Sequence, residues 1–276
     1  MGGTPSSNLV TRTGAALAAA LPQGRTGWTV GPGHRQQPAD LLLEGLYDDQ
    51  LPISFDRTRL RSPDSAATLA VNTFLPWQHD ARELPLAGWL GFAAIQLEVR
   101  CPTGLRGTPP HLDLLALRDE AAVAVTVRCS EYLNPRKVAV AESYDRLLAE
   151  TPGVEPWRRL LAQVRRRSGS FVHVDAGALV KFALALGRTF PDRPTILHYL
   201  YWEPLDAERF EAFRLHREEL ARVAETIAEA RVGFRPEPLM ALWQDWGARR
   251  SPAWLPDHVA RLKARYGVRL EPAGLV

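Results

Sequence analysis

Apolar and polar residues alternate with a period of two through the middle of the chain, which predicts β-strands there. Ile95, Leu97 and Val99 alternate with polar neighbours, and Val123 and Val125 alternate with alanines. A further segment is rich in aromatic and β-branched residues. The predicted strands cover residues 88–100, 112–117, 121–129 and 195–201.

Helical spacing of apolar residues flanks this central region on both sides. Helices are predicted at residues 15–21, 40–46, 62–74, 156–166, 176–186, 206–230, 238–247 and 256–266. Asp40, Ser62 and Asp175 are candidate N-caps for three of them. The mixture of strands and helices predicts an α/β fold.

The start of the chain differs in composition from the rest. Residues 1–39 contain many Gly, Pro, Ser, Thr and Gln residues, which predicts an irregular N-terminal arm with at most one short helix. No other shift in composition divides the chain, so residues 40–276 are expected to form a single domain.

Composition excludes several classes of protein. The chain has 276 residues, of which 46% are hydrophobic and 24% charged, as in ordinary globular domains. No apolar run is long enough to span a membrane, and the short apolar run at residues 14–21 lacks the basic start of a secretion signal. Two cysteines, Cys101 and Cys129, are too few for a disulfide framework or a zinc cluster. A cytoplasmic protein without a membrane partner is therefore expected.

The net charge is only +3, so binding to nucleic acid would need a local basic patch. Arg165, Arg166 and Arg167 form a basic run, which is either a solvated helix end or a set of phosphate contacts. Lysine is rare, with three residues in the chain, and this makes Lys181 a candidate functional cation.

The central hairpin predicts a chemical site. If Asp119 and Glu120 form a two-residue turn, Asp113 falls opposite Thr126, with Cβ atoms roughly 5 Å apart. Arg128 lies two residues beyond Thr126 and points to the same face. Two opposed acids followed by a lysine would hold Mg²⁺, which polarises a phosphate and activates water.

Residues 110–115 (PHLDLL) and 125–133 (VTVRCSEYL) resemble the core of the PD-(D/E)XK nuclease superfamily, in a bacterial branch of restriction-endonuclease-like proteins. Further blocks follow in the same order, and the resemblance covers about residues 40–267 of the chain. These blocks are RTRLRSP at 57–63, VNTF at 71–74, VDAGALVK at 174–181, YLYWEP at 199–204, HREE at 216–219, then Trp243, Trp246, Trp254, His258, and Arg265 with Tyr266.

The resemblance implies a restriction-endonuclease-like mixed central β-sheet flanked by helices. It also implies DNA as the partner, Mg²⁺ or Mn²⁺ as the cofactor of an active enzyme, and a homodimer as one assembly. It predicts Glu at position 126 and Lys at position 128, where this chain has Thr126 and Arg128. Only Asp113 of the core set is kept, and a single carboxylate is a poor magnesium site.

Two other acids are candidates to replace the missing ligand. Glu98 lies on the polar face of the preceding strand and is either a metal ligand beside Asp113 or an exposed strand residue. Glu131 is an odd number of residues from Thr126, so in a regular strand its side chain would point to the opposite face of the sheet. It needs a bend in the chain to turn towards the site. Arg128 and Lys181 are the candidate cations for the phosphate.

The sequence therefore predicts a nuclease-like protein that binds DNA, with phosphodiester cleavage weak or lost. Two alternatives stay open. One is an active Mg²⁺-dependent endonuclease in which Glu98 or Glu131 supplies the missing acid, and the other is a non-enzymatic scaffold that binds a partner protein.

Overall fold

A computed structural model describes residues 5–21, 41–46, 48–60, 62–105, 108–134, 137, 139–166 and 169–270. Within them, five strands form one sheet in the order β1-β2-β3-β4-β5. The strands are β1 (Ala94–Arg100), β2 (His111–Leu117), β3 (Ala122–Arg128), β4 (Thr195–Tyr201) and β5 (Val232–Pro238). The first three strands pair antiparallel and the last three pair parallel, so the sheet is mixed.

Eight helices in the described residues flank the sheet. They are α1 (Pro5–Ala19), α2 (Ala66–Phe74), α3 (Ser143–Glu150), α4 (Glu155–Arg166), α5 (Ala176–Thr189), α6 (Glu211–Ile227), α7 (Leu239–Gly247) and α8 (Leu255–Tyr266). The predicted α/β class is confirmed. Its narrower form, a restriction-endonuclease-like arrangement, stays a prediction.

The hairpin register is the one that the sequence predicts. Arg118 N–H donates to Ala121 O across the turn, and Leu114 pairs with Val125 further along the strands. Asp113 and Thr126 are the next residues of the two strands, so they lie across from each other. The two-residue turn at Asp119 and Glu120 fixes this alignment because its length sets which residues face each other.

The two faces of the sheet carry separate hydrophobic cores. Val123, Val125 and Val127 of β3 pack with α2, α7 and α8 on one face. Ala122 and Ala124 pack with α4, α5 and α6 on the other. Small alanines there let α5 lie close to the sheet, and the same face continues into Thr126 and Arg128. The site residues therefore lie under the α5 layer.

The first 39 residues are not irregular throughout, and that prediction is wrong for Pro5–Ala19. This segment forms α1, which begins ten residues before the predicted helix start at Ala15. Leu17 is fully buried in one core and Leu9 is buried in the other. The turn-forming composition was misleading because tertiary burial of two leucines stabilises the helix.

Other boundaries also differ from the predictions. Residues 41–46 form turns, not a helix, and their candidate cap Asp40 lies outside the described residues. α2 starts at Ala66, four residues after the proposed cap Ser62.

The strand β5 and the helix α3 were not predicted. β5 contains Pro236 and Pro238, which an edge strand tolerates because one of its sides needs no hydrogen-bond donors.

None of the helices in the described ranges is long and apolar enough to cross a membrane.

A buried carboxylate fixes the segment that leads into α5. Both oxygens of Glu219 on α6 accept backbone N–H groups, from Val172 at 2.5 Å, His173 at 2.9 Å and Val174 at 2.7 Å. Glu219→Ala should lower the free energy of unfolding by at least about 3 kcal/mol, because each unsatisfied amide costs about 1–3 kcal/mol. Urea denaturation measures this loss.

The neighbouring Glu218 provides the matched control. It is exposed on the same helix and pairs with Arg214 at 2.6 Å. Glu218→Ala should change the free energy of unfolding by less than about 0.5 kcal/mol. Equal effects of the two substitutions would contradict a specific role for the Glu219 hydrogen bonds.

His258 on α8 makes stability depend on pH. Burial lowers the pKa of its imidazole from 6.5 to about 4, so the folded chain keeps it neutral. The unfolded chain takes up a proton below about pH 6.5, and stability falls from there to about pH 4. Wild type should lose about 3 kcal/mol more than His258→Gln over this range.

Urea denaturation at three pH values between 7 and 4 checks this difference. His79→Gln is the control, since His79 is exposed and its substitution should leave the wild-type pH slope unchanged. A His258→Gln slope identical to wild type would show that another group controls the acid sensitivity.

Candidate functional site

A cavity of about 530 Å³ opens where β3 and β4 end, between the sheet and the N-terminal turn of α5. Its polar wall comes from the loop before α2, from β2 and β3, and from the segment after β3. Its apolar wall comes from α5. The lining residues are Arg59, Ala66, His111, Asp113, Arg128, Glu131, Tyr132, Asn134, His173, Asp175, Ala178, Leu179, Phe182 and Tyr199.

The predicted core residue Asp113 lies in this cavity and is buried. Its Oδ2 accepts the backbone N–H of Val127 at 2.7 Å, and its Oδ1 lies 3.4 Å from Nη2 of Arg59. Burial raises the pKa of Asp113, while the positive charges of Arg59 and Arg128 act in the opposite direction. The carboxylate thus completes the hydrogen bonding of β3 where regular pairing with β2 stops.

Arg59 connects two carboxylates. Its Nη1 donates to Oε1 of Glu98 at 2.5 Å, and its Nη2 faces Asp113. Burial disfavours the charge of Arg59, but the carboxylates of Asp113, Glu98 and Asp56 outweigh that effect and raise its pKa. Glu98 is therefore buried and paired, contrary to its interpretation as an exposed strand residue.

Thr126 and Arg128 lie on the same face as Asp113, as the strand alternation predicts. Thr126 is fully buried, and its Oγ1 accepts from Nη1 of Arg128 at 2.7 Å. The same Nη1 donates to Val127 O at 2.7 Å. Both acceptors are neutral, and no carboxylate in the described part of the chain lies within ion-pairing distance of Arg128. The guanidinium lies 5.7 Å from the centre of the Tyr199 ring.

Glu131 turns inward through the bend that its parity requires. The 3-10 turn Glu131–Leu133 starts two residues after the end of β3, and Glu131 lines the cavity. Oε1 accepts Ala66 N–H at 2.9 Å and Oε2 accepts Cys129 N–H at 2.7 Å. Burial raises the pKa of Glu131, opposed by Arg128 and by these amides. The carboxylate caps α2, a helix distant in sequence.

His111 adds an imidazole beside Arg59. Its Nδ1 lies 3.2 Å from Nη1 of Arg59 and 4.0 Å from Oε1 of Glu98, and its Nε2 accepts from Arg100 at 2.8 Å. Burial and the charge of Arg59 lower the pKa of His111. The ring is therefore held neutral between two arginines.

The geometry does not fit a magnesium or manganese ion. Asp113, Glu98 and Glu131 each use their oxygens for an amide or for Arg59, and Thr126 is bonded to Arg128. Among the residues that the structure describes, no group of three or more His, Cys, Asp or Glu side chains could hold a metal ion. Hard cations of this size need several oxygen ligands at about 2.0–2.6 Å.

Lys181 is not brought to the cavity. Its Nζ lies 5.2 Å from the ring centre of Tyr144, and Lys181 is not one of the residues that line the cavity. The α5 cap is as predicted, because Asp175 accepts Ala178 N–H at 3.0 Å.

The arginine run is not part of the cavity either. Arg165 pairs with both oxygens of Asp145 at 2.8 Å. Arg166 lines a separate surface pocket with Phe171 and Arg222. Arg167 lies outside the described residues. Phosphate contact by this run stays a prediction from the sequence, and Arg165 already has an acidic partner.

Sequence reasoning missed Arg59 and His111. His111 lies two residues before Asp113, so strand alternation alone places it on the same face. Arg59 lies within the block at 57–63, but it reaches the site from a loop, and no local pattern predicts that contact.

No family model matches the chain, and the searches found no curated protein and no solved structure that is similar to it.

The role of Glu131 can be tested by truncation. Glu131→Ala leaves the amides of Ala66 and Cys129 without their acceptor and should lower the free energy of unfolding by about 2–4 kcal/mol. Urea denaturation measures this loss of unfolding free energy. Glu120→Ala, in the exposed hairpin turn, is the control and should stay within about 0.5 kcal/mol of wild type. Wild-type stability of Glu131→Ala would argue against capping and leave Glu131 available as a ligand.

Proposed function

We propose that this chain binds DNA through a backbone phosphate in the cavity and does not hydrolyse the phosphodiester bond. The observation that carries the proposal is the contrast between the acids and Arg128. Asp113, Glu98 and Glu131 each have hydrogen-bonded partners, whereas Arg128 faces the cavity bonded only to neutral oxygens.

An arginine held in this way suits an anion. Its Nη1 is fixed by Thr126 and Val127, so the planar group is oriented before a ligand arrives. Arginine binds phosphate through paired N–H groups, and a preorganised guanidinium loses less entropy on binding. The cavity volume lies within the range of small-ligand sites, so a nucleotide unit fits it by size.

The arrangement does not support metal-assisted cleavage. Hydrolysis of this kind needs a metal to lower the pKa of the attacking water and to neutralise the phosphate. The position opposite Asp113 holds Thr126, a neutral residue, and Glu98 is paired with Arg59. Arg128 stays protonated and cannot accept a proton from water.

Location and assembly are further parts of the proposal. A cytoplasmic location is supported by two buried cysteines that form no disulfide in the structure. A homodimer stays a prediction from the resemblance. The alternatives of an active endonuclease and of a protein-binding scaffold are the other outcomes of the experiments below.

Fluorescence anisotropy with labelled duplex and single-stranded DNA at several salt concentrations, without metal, tests binding. Arg128→Met should weaken binding roughly tenfold or more, as expected for the loss of a charge-assisted hydrogen bond to phosphate. It should also lower the slope of log affinity against log salt by about one.

Arg250→Met is the matched control because Arg250 is exposed beyond α7, in the layer on the opposite face of the sheet. It should leave affinity and salt slope unchanged. Equal losses in both variants would indicate non-specific attraction rather than binding at the cavity.

A plasmid assay with Mg²⁺ or Mn²⁺ tests the absence of cleavage. We expect no nicking by wild type. Nicking that is lost in Asp113→Ala would establish the active endonuclease instead. Absence of DNA binding at low salt would reject the proposal and leave the scaffold as the remaining function.

A further inference from the structure

Two buried carboxylates face each other across neighbouring strands. Leu97 pairs with Leu114 and Val99 pairs with Leu112, so the residues between them, Glu98 and Asp113, are opposite each other. Both side chains are only 4% exposed. Two buried negative charges in such proximity need a cation between them or must lose a charge.

The backbone at Glu98 departs from regular strand geometry. Glu98 has a φ of 58°, in the left-handed region that non-glycine residues rarely occupy. It leaves the regular ladder, and its Oε2 accepts Asp56 N–H at 2.6 Å while Oε1 accepts from Arg59. A non-glycine residue in this region has a strained backbone, and the strain persists only where surrounding contacts hold the residue in place. Here those contacts dock the loop that carries Arg59.

Arg59 supplies a cation to both acids. Its guanidinium contacts the two carboxylates through different nitrogens, Nη1 to Glu98 and Nη2 to Asp113. Unlike a metal ion, a guanidinium group coordinates no water and cannot generate hydroxide, since it stays protonated.

We propose that Arg59 is an internal replacement for a divalent metal ion, held by the Glu98 and Asp113 carboxylates that would otherwise ligate it. The natural protein therefore binds no metal at this position. Removal of the guanidinium leaves the Glu98 and Asp113 carboxylates without their shared cation, and their freed oxygens can then bind Mn²⁺.

Binding of Mn²⁺ is measured from the loss of the free-ion paramagnetic resonance signal during titration with MnCl₂, without DNA. Wild type should take up no stoichiometric Mn²⁺. Arg59→Met should bind one ion per chain, and Arg59→Met combined with Asp113→Asn should bind none.

Arg146→Met is the control for removal of an arginine from an acidic partner. Arg146 pairs with Glu150 at the surface, where both side chains are exposed. This variant should bind no Mn²⁺, and binding there would show that the gain in Arg59→Met is not specific to the buried pair.

Two results would overturn the proposal. One is wild-type Mn²⁺ binding that is lost in Asp113→Asn, which would show that metal and Arg59 coexist. The other is a folded Arg59→Met that binds no Mn²⁺ up to millimolar concentration.

If Arg59→Met does not fold alone, it is refolded in MnCl₂ or in methylguanidinium chloride. Cooperative thermal unfolding restored by both cations supports the proposal, and failure of both contradicts it. The measurement uses no nucleic acid, so its result is independent of the proposed DNA binding.

Discussion

The structure depends on finding a partner for each buried carboxylate. Glu219 accepts three amides, Glu131 accepts two, and Asp113 accepts Val127 N–H. The bonds of Glu219, and the bond from Ala66 N–H to Glu131, join segments distant in sequence. An ionised carboxylate is too costly to bury without such donors, so the acids determine where loops and helix ends can lie. The cavity is the space that these anchored segments enclose.

The same requirement ties the acids of the site to the fold. Asp113 both completes β3 and accepts Arg59, and Glu131 both caps α2 and lines the cavity. Carboxylates that hold the fold together are poor ligands for an exchangeable ion. At the cavity, Arg128 is bonded to neutral oxygens, and the proposed binding of an anion rests on this observation.

Much of the architecture is predictable from local patterns. Alternation places Asp113, Thr126 and Arg128 on one face, and the two-residue turn fixes their register. β4 spans the predicted residues, and Asp175 caps α5 as expected. The α1 helix and β5 were not predictable in this way, because burial of Leu9 and Leu17 and an edge position that tolerates prolines are tertiary effects.

The sequence by itself determined which side chains share a strand face, since the period of two and the turn length are local properties. It also determined that Thr126 and Arg128 stand where the resemblance expects an acid and a lysine. Only the tertiary structure decided the state of the acids. The approach of Arg59 to Glu98 and Asp113, and of Glu131 to the start of α2, joins segments dozens of residues apart. Such contacts depend on chain packing, and no short sequence pattern encodes them.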